Sequence, residues 1–401
     1  MNKNLFKSLK HGNFRMYFIA QIISVTGSWL QMTAMPWLIY SMTHSVLLLG
    51  TVSFLAQVPI LIISPFAGVA ADHYNKRKIL IISQTILTLQ ALLLAWLTIS
   101  GKIQIYHIFI LAILMGIASS FDMPARQAFI IDLVGKEDLM NAIALNSFII
   151  NSTRMIGPAV AGILVASFSE GLCFLINGIS FIPVIIILFI IKTAVINKSD
   201  RTISISQKFM SGINYIKNSK DISSLILLIS ATSAIISFPM ILMPVFVKDV
   251  FKLDVKFLGI LMSASGVGTL MGAIRIASNK SSKYLKNIVI YSAMGFGMSM
   301  IAFSFSKNIY LTILFMAFIG YFMVSQLVAT NTMIQLLVSD DMRGRVMGFY
   351  TMAFMGIAPI GSLAAGVIAH KLSAPAAVAI AGVICLSLSL ILRKKILSIN
   401  A

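Results

Sequence analysis

Apolar runs of about 20 residues, separated by short polar intervals, recur along the whole chain; this is the pattern of helices that cross a bilayer. Twelve such runs are read at 15–40, 47–70, 79–100, 106–132, 141–167, 172–192, 223–247, 256–278, 288–305, 310–336, 345–369 and 375–392. An α-helix satisfies every backbone polar group within itself, which lipid demands. Several runs exceed the minimum span and predict tilted or kinked helices. The longest polar interval, 193–222, is basic and serine-rich, with six runs on each side. The pattern therefore predicts an all-α membrane protein with twelve transmembrane helices. Residues 1–192 form a first six-helix half, 193–222 a cytoplasmic linker, and 223–401 a second half.

Composition agrees. Of 401 residues, 58% are hydrophobic and 11% charged, too little polar surface for a soluble domain. A net charge of +19 raises the question of a nucleic-acid partner, and its distribution answers no. Lys and Arg crowd alternate intervals, whereas the others hold only Lys102, Lys248, Lys252, Lys256, Lys307 and Lys371. This bias places both termini in the cytoplasm and a basic inner surface against anionic membrane lipid. The first run is too long for a cleavable signal and is read as an anchor. Cys173 and Cys385 lie singly in apolar runs, and the five histidines lack metal spacing, so neither disulfide nor zinc is implied. No phosphate-binding glycine loop and no cluster of catalytic groups is present, so the chain reads as neither ATP-driven nor an enzyme.

The halves match at one offset. Gly68 and Gly272 lie 204 residues apart, as do Asn75 and Asn279, Lys76 and Lys280, Gly116 and Gly320, Gly157 and Gly361, Ala161 and Ala365, and Gly162 and Gly366. Glycines mark close helix contacts. Their coincidence at one ungapped offset points to a duplication, and two such halves suit a secondary transporter with a central site.

The interval "GVAADHYNKRKIL" carries Gly68, Asp72, Asn75, Lys76 and Arg77. Gly68 permits a close helix contact, and Asn75 tolerates the left-handed backbone that glycine favours. Here the chain resembles the major facilitator superfamily, whose loop motif it matches at Gly68, Asp72, Lys76 and Arg77 and leaves at Asn75, where the motif has glycine. The resemblance implies that Asp72 acts as a cytoplasmic gate by docking on the inner end of the eleventh span, "DDMRGRVMGFY", where a carboxylate caps free N–H groups and meets the positive end of the helix dipole. The second-half copy carries Ile276 instead of the acid, so the gate is expected to be asymmetric. "GIASSFDMPARQAFIIDLV" and "RMIGPAVAGIL" resemble a narrower group, the bacterial enterobactin exporters and macrolide efflux proteins. "GPAVAG", with Gly157, Pro158 and Gly162, matches part of an antiporter motif, although Thr153 stands where that motif has glycine. Pro158 is expected to bend its helix.

The resemblance implies an exporter in a bacterial cytoplasmic (inner) membrane, working by alternating access as a monomer. Its substrate would be a small amphipathic molecule, a siderophore or a drug. A proton gradient takes the place of a cofactor; an uncoupled facilitator or a lipid transporter is the alternative.

Charges inside the runs are the candidate chemistry. Arg154 cannot face lipid at mid-depth without a cost of at least ~3 kcal/mol, so it must face protein. At 1.5 Å per residue, Asp122 on span 4 and Arg154 on span 5 differ in depth by only about 5 Å, which allows an ion pair. Arg126, one turn from Asp122, either competes for it or snorkels to the headgroups. Three roles stay open for the cluster: a structural salt bridge, a spare cation that binds an anionic substrate group, or a proton carrier at Asp122. Asp132, near a span end, is placed to pair with Arg77. Gln21, Ser24, Ser28 and Gln31 share one face of span 1 and are expected to line the central cavity.

Overall fold

The computed structural model describes residues 7–135, 137–191, 205–278 and 284–399. Among them there are fourteen α-helices and no strand: α1(Gly12–Thr43), α2(Val46–His73), α3(Lys76–Ile99), α4(Ile105–Val134), α5(Leu139–Ser167), α6(Glu170–Ile190), α7(Ile205–Asn218), α8(Lys220–Val245), α9(Val255–Ser278), α10(Leu285–Phe305), α11(Ile309–Leu337), α12(Asp340–Met355), α13(Ala358–Lys371) and α14(Ala374–Leu397). Each predicted span has its helix. Eleven segments are long and apolar enough to cross a membrane, with α12 and α13 together forming one of them. α1 is absent from that set despite its 32 residues, because its polar face dilutes its apolar character.

Polar side chains set the helix starts. Ser169, Ser219 and Ser373 accept from the backbone N–H three residues on, and Asn308 from Tyr310 and Leu311, so orphan N–H groups of the first turn are satisfied. Apolar character on two opposite faces then fits a helix between protein and lipid. On α3, Leu80, Leu87, Ala91 and Leu94 are buried, whereas Ile82, Leu89, Leu93 and Trp96 are exposed.

One expectation needs correction. The predicted eleventh span is not one helix: α12 ends at Met355 and α13 begins at Ala358. Pro359 has no N–H to continue the ladder, and α8 bonds carbonyls around the gap, Ser233 Oγ donating to Phe354 O and Ser237 Oγ to Ala358 O at 3.1 Å. The interval read as a linker also holds a helix. Its stretch 193–204 lies outside the described residues, but 205–218 forms the amphipathic helix α7. Arg345 Nη1 of α12 donates to Ser211 Oγ at 2.8 Å, and the Phe349 ring closes over Gly212.

Two compact units emerge. Unit 1 comprises Met1–His44, Leu55–Ser199 and Asp254–Ser263; unit 2 comprises Ser45–Phe54, Asp200–Leu253 and Ala264–Ala401. In unit 1, α1 packs on α5 and α6, and α3 on α4 and α6. In unit 2, α8 packs on α13 and α14, and α10 on α11 and α14. The second set is the first shifted by the sequence offset. Its glycines do equivalent work: Gly157 admits Trp29 of α1, and Gly361 admits the backbone of Ala234 in α8. Gly116 and Gly320 each face a carbonyl, of Ala56 and Ser265 respectively. Gly162 opposes Gly259 in unit 1, and Gly366 opposes Gly50 in unit 2. Asn279 and Lys280 lie outside the described residues.

Candidate functional site

Asp122 and Arg126 meet inside unit 1, and Arg154 lies apart from them. Asp122 is 3% exposed, and Pro124 leaves α4 unbroken around it. The Asp122 carboxylate takes Arg126 Nη2, Gln84 Nε2 at 2.7 Å and Ser83 Oγ at 3.3 Å. Arg126 Nη1 donates to Gln21 Oε1 at 2.7 Å. One turn of helix with the acid on the N-terminal side puts both charges on one face. This corrects the pairing of Asp122 with Arg154 and the snorkelling of Arg126. An intrahelical pair has its geometry fixed by the backbone, whereas Arg154 on α5 points toward α1.

Arg154 lies over the Trp29 indole, 5.5 Å from the ring centroid, a cation–π geometry. Gly157, one turn on, lets α5 approach α1 closely enough for this. No carboxylate lies within ion-pair distance of Arg154 among the described residues. Pro158 and Thr153 sit within continuous α5, where Thr153 Oγ1 donates to Ile149 O at 2.8 Å.

The polar face of α1 is also corrected. Gln21, Ser24 and Gln31 are 2%, 1% and 4% exposed, so they face the interior of unit 1 rather than an open cavity. Ser28 is half-buried and donates to Ser24 O at 3.0 Å. Gln31 Oε1 accepts from Asn177 Nδ2 of α6 at 2.8 Å, and its amide points to Gln90 Oε1 of α3 at 3.4 Å. A buried amide needs partners, and other helices of the unit supply them. Gln84, Gln90 and Asn177 went unread in the sequence, although an amide inside an apolar run, two in span 3 and one in span 6, is the signal that betrays such a network.

At the 68–77 segment, Asn75 begins α3 as an ordinary N-cap, with φ −66° and its side chain accepting from Lys78 N at 3.3 Å. The left-handed backbone expected there is absent, because capping requires an extended one. A Cβ at Gly68 would meet nothing within 4 Å, so no close packing requires glycine there. Asp132 pairs with Lys76, at 2.9 Å, and not with Arg77. Arg77 instead caps α6, donating to Leu188 O and to Phe189 O at 2.6 Å, where carbonyls carry the negative end of the dipole. The Asp72 side chain, and with it the expected docking, lies outside the described residues.

A second polar cluster, unforeseen, fastens the chain start to α5. Ser8 donates its N–H and Oγ to Asn141 Oδ1 at 2.9 and 2.7 Å. Asp138 pairs with Lys7 at 2.8 Å and meets His11 at 2.9 Å. Hydrogen bonding by Lys7 and then by His11 holds the Asp138 carboxyl below the usual carboxylate range, and Asp138 raises Lys7 in turn.

Known proteins match this arrangement. The family model described as "Transmembrane secretion effector" covers residues 4–400. The staphyloferrin A transporter of Staphylococcus aureus is 30% identical over 355 residues, 87% of each chain. The enterobactin exporter EntS of Shigella boydii is 23% identical, over 88% of this chain and 83% of that one. The crystal structure of the nucleoside transporter NupG has the same fold, with a TM-score of 0.78 at 12% identity over 97% of this chain and 100% of that one. The chain is thus a transporter and not an enzyme, and it belongs to the transmembrane secretion effector family of the major facilitator superfamily.

Proposed function

We propose that the protein exports a small amphipathic molecule bearing anionic groups, a siderophore in character, across a bacterial cytoplasmic membrane. It does so by alternating access, with both termini in the cytoplasm and the 68–77 segment as the cytoplasmic latch. Arg154 carries the substrate reading: it is a permanent cation in a span, held on an indole face, with no carboxylate partner among the described residues. Such a group favours a carboxylate or catecholate on the solute. The related siderophore transporters support that chemistry, and EntS, an exporter, supports the direction. Asp122 carries the coupling reading. Protonation would neutralise it and release Arg126 from the pair, so the proton's arrival changes the electrostatics of α4 and α1 together.

The test is uptake of staphyloferrin A into inverted vesicles. Arg154→Gln is expected to raise KM by about tenfold or more, the cost of removing one partner of a charge pair, with Arg154→Lys recovering part of the loss. Unchanged KM in Arg154→Gln would remove the anion site.

A further inference from the structure

Five buried side-chain atoms near the Asp122–Arg126 pair lack a well-formed hydrogen bond: Tyr17 Oη, which has only the Gln21 side chain beside it, Gln21 Nε2, Ser24 Oγ, Gln84 Oε1 and Arg126 Nε. They come from three helices, α1, α3 and α4, and half of all the buried orphan atoms among the described residues gather here. Buried polar groups are almost always satisfied, and a cluster of exceptions marks an occupant. The pair is electrically neutral, so the occupant needs no charge. The orphan set holds two donors, Arg126 Nε and Gln21 Nε2, one acceptor, Gln84 Oε1, and two hydroxyls that act as either. Water matches this set, since it donates and accepts at once and binds where two to four polar partners converge.

We infer that internal water occupies the junction of α1, α3 and α4 and carries protons to Asp122 along the buried face of α1. Tyr17, Gln21 and Ser24 are spaced four and three residues apart, and Ser28 and Gln31 continue the row. That row leads to the Gln31, Gln90 and Asn177 amides, so the water joins two polar networks into one line through unit 1. In the transfer step, a hydronium in the line gives its proton to an Asp122 oxygen and becomes water; Arg126 keeps its charge and its bond to Gln21. The other groups that bear on Asp122 are few. α3 presents Ser83 and Gln84, and at its N-terminal end, two turns away, Lys76 and Arg77 are held by Asp132 and by carbonyls of α6 while Lys78 is exposed. α1 presents Tyr17, and the only charge within α5 is Arg154, over Trp29. This inference rests on the proton-coupling reading of Asp122.

The test is infrared difference spectroscopy on the full-length protein in lipid, with a pH jump and no substrate. The protonated-carboxyl band that disappears in Asp122→Asn reports Asp122. In the native protein this band is expected to rise together with a water O–H band that shifts in heavy-oxygen water. In Tyr17→Phe/Ser24→Ala the water band is lost, and the carboxyl band rises about tenfold more slowly or worse, since two hydroxyls are removed from the path. Ser24→Thr, which keeps a hydroxyl at that position, is a second variant and should retain the water band. A titrating Asp122 with no such water band, or with the same rate in the double variant, overturns the water line alone. A band that shifts when bromide replaces chloride assigns the site to an anion and also overturns it. An Asp122 that never titrates removes the proton-coupling reading and the line with it.

Discussion

Asp122 and Arg154 illustrate how a charge survives in an apolar span by two different means. Asp122 takes a cation from its own helix and two neutral donors from α3, so its desolvation is met by short-range bonds. Arg154, among the described residues, takes an aromatic face and no carboxylate. Removing Gln84 bonding strips a hydrogen bond from a buried carboxylate, which costs about 1–3 kcal/mol. Gln84→Leu is therefore expected to lower thermal stability measurably, whereas Thr85→Ala, on the exposed side of the same helix, should not. At the chain start the sign of the pH effect follows from the two shifted groups. Asp138 lies low, so its bond to Lys7 is intact above the ordinary carboxylate pKa and is lost as pH falls through the lowered value. Lys7 lies high, so the same bond is intact below the ordinary lysine pKa and is lost as pH rises through the raised value. Proteolytic protection of residues 7–11 is expected to be flat through neutral pH and to fall in acid. Loss of protection near pH 7 would contradict the Lys7–Asp138 anchor.

Helix packing depends on where glycines face backbone. A Cβ at Gly320 would overlap the Ser265 carbonyl, which cannot swing aside, while one at Gly68 would meet open space. Gly320→Ala is expected to destabilise by about 1–3 kcal/mol, as overpacking does, and Gly68→Ala to leave stability unchanged. A thermal-shift comparison in detergent checks both. The helices themselves were legible in the sequence, because a span must be long and apolar, and that leaves an unmistakable pattern. The break between α12 and α13 was not, since Pro359 sits in a run whose hydropathy never falters and the gap depends on serines of α8. α7 was hidden by the reverse effect: Phe209, Ile213 and Ile216 have helical spacing, but Ser211, Gly212 and Asn214 among them and the flanking Lys208 and Lys217 give the segment the composition of a linker. Side-chain partners were the least legible. The presence of Asp122, Arg126 and Arg154 and the one-turn spacing of the first two could be read directly, whereas the partner of Arg154 depends on the rotation of α5 about its axis, and no periodicity records that rotation.

At the scale of the whole molecule, duplication supplied two units with the same helix contacts and then divided their chemistry. The offset of Asp122 falls on Gln326 and that of Arg126 on Thr330. Gln326 bonds Thr232 at 3.1 Å, so the second unit repeats the position with neutral groups. The proposed proton coupling accordingly falls to unit 1, where the carboxylate lies. Gln326→Leu is expected to alter stability or substrate affinity and to leave the response of transport to a pH gradient intact; a lost response would spread coupling across both units. The central proposal is that Asp122 is the coupling carboxylate, and with staphyloferrin A, the solute in a relative's name, as trial substrate it is tested most directly by uptake into inverted vesicles with and without an imposed pH gradient. The native protein is expected to respond to the gradient, and Asp122→Asn to lose that response while still exchanging labelled for unlabelled substrate. Gradient-driven uptake that survives unchanged in Asp122→Asn would contradict the account.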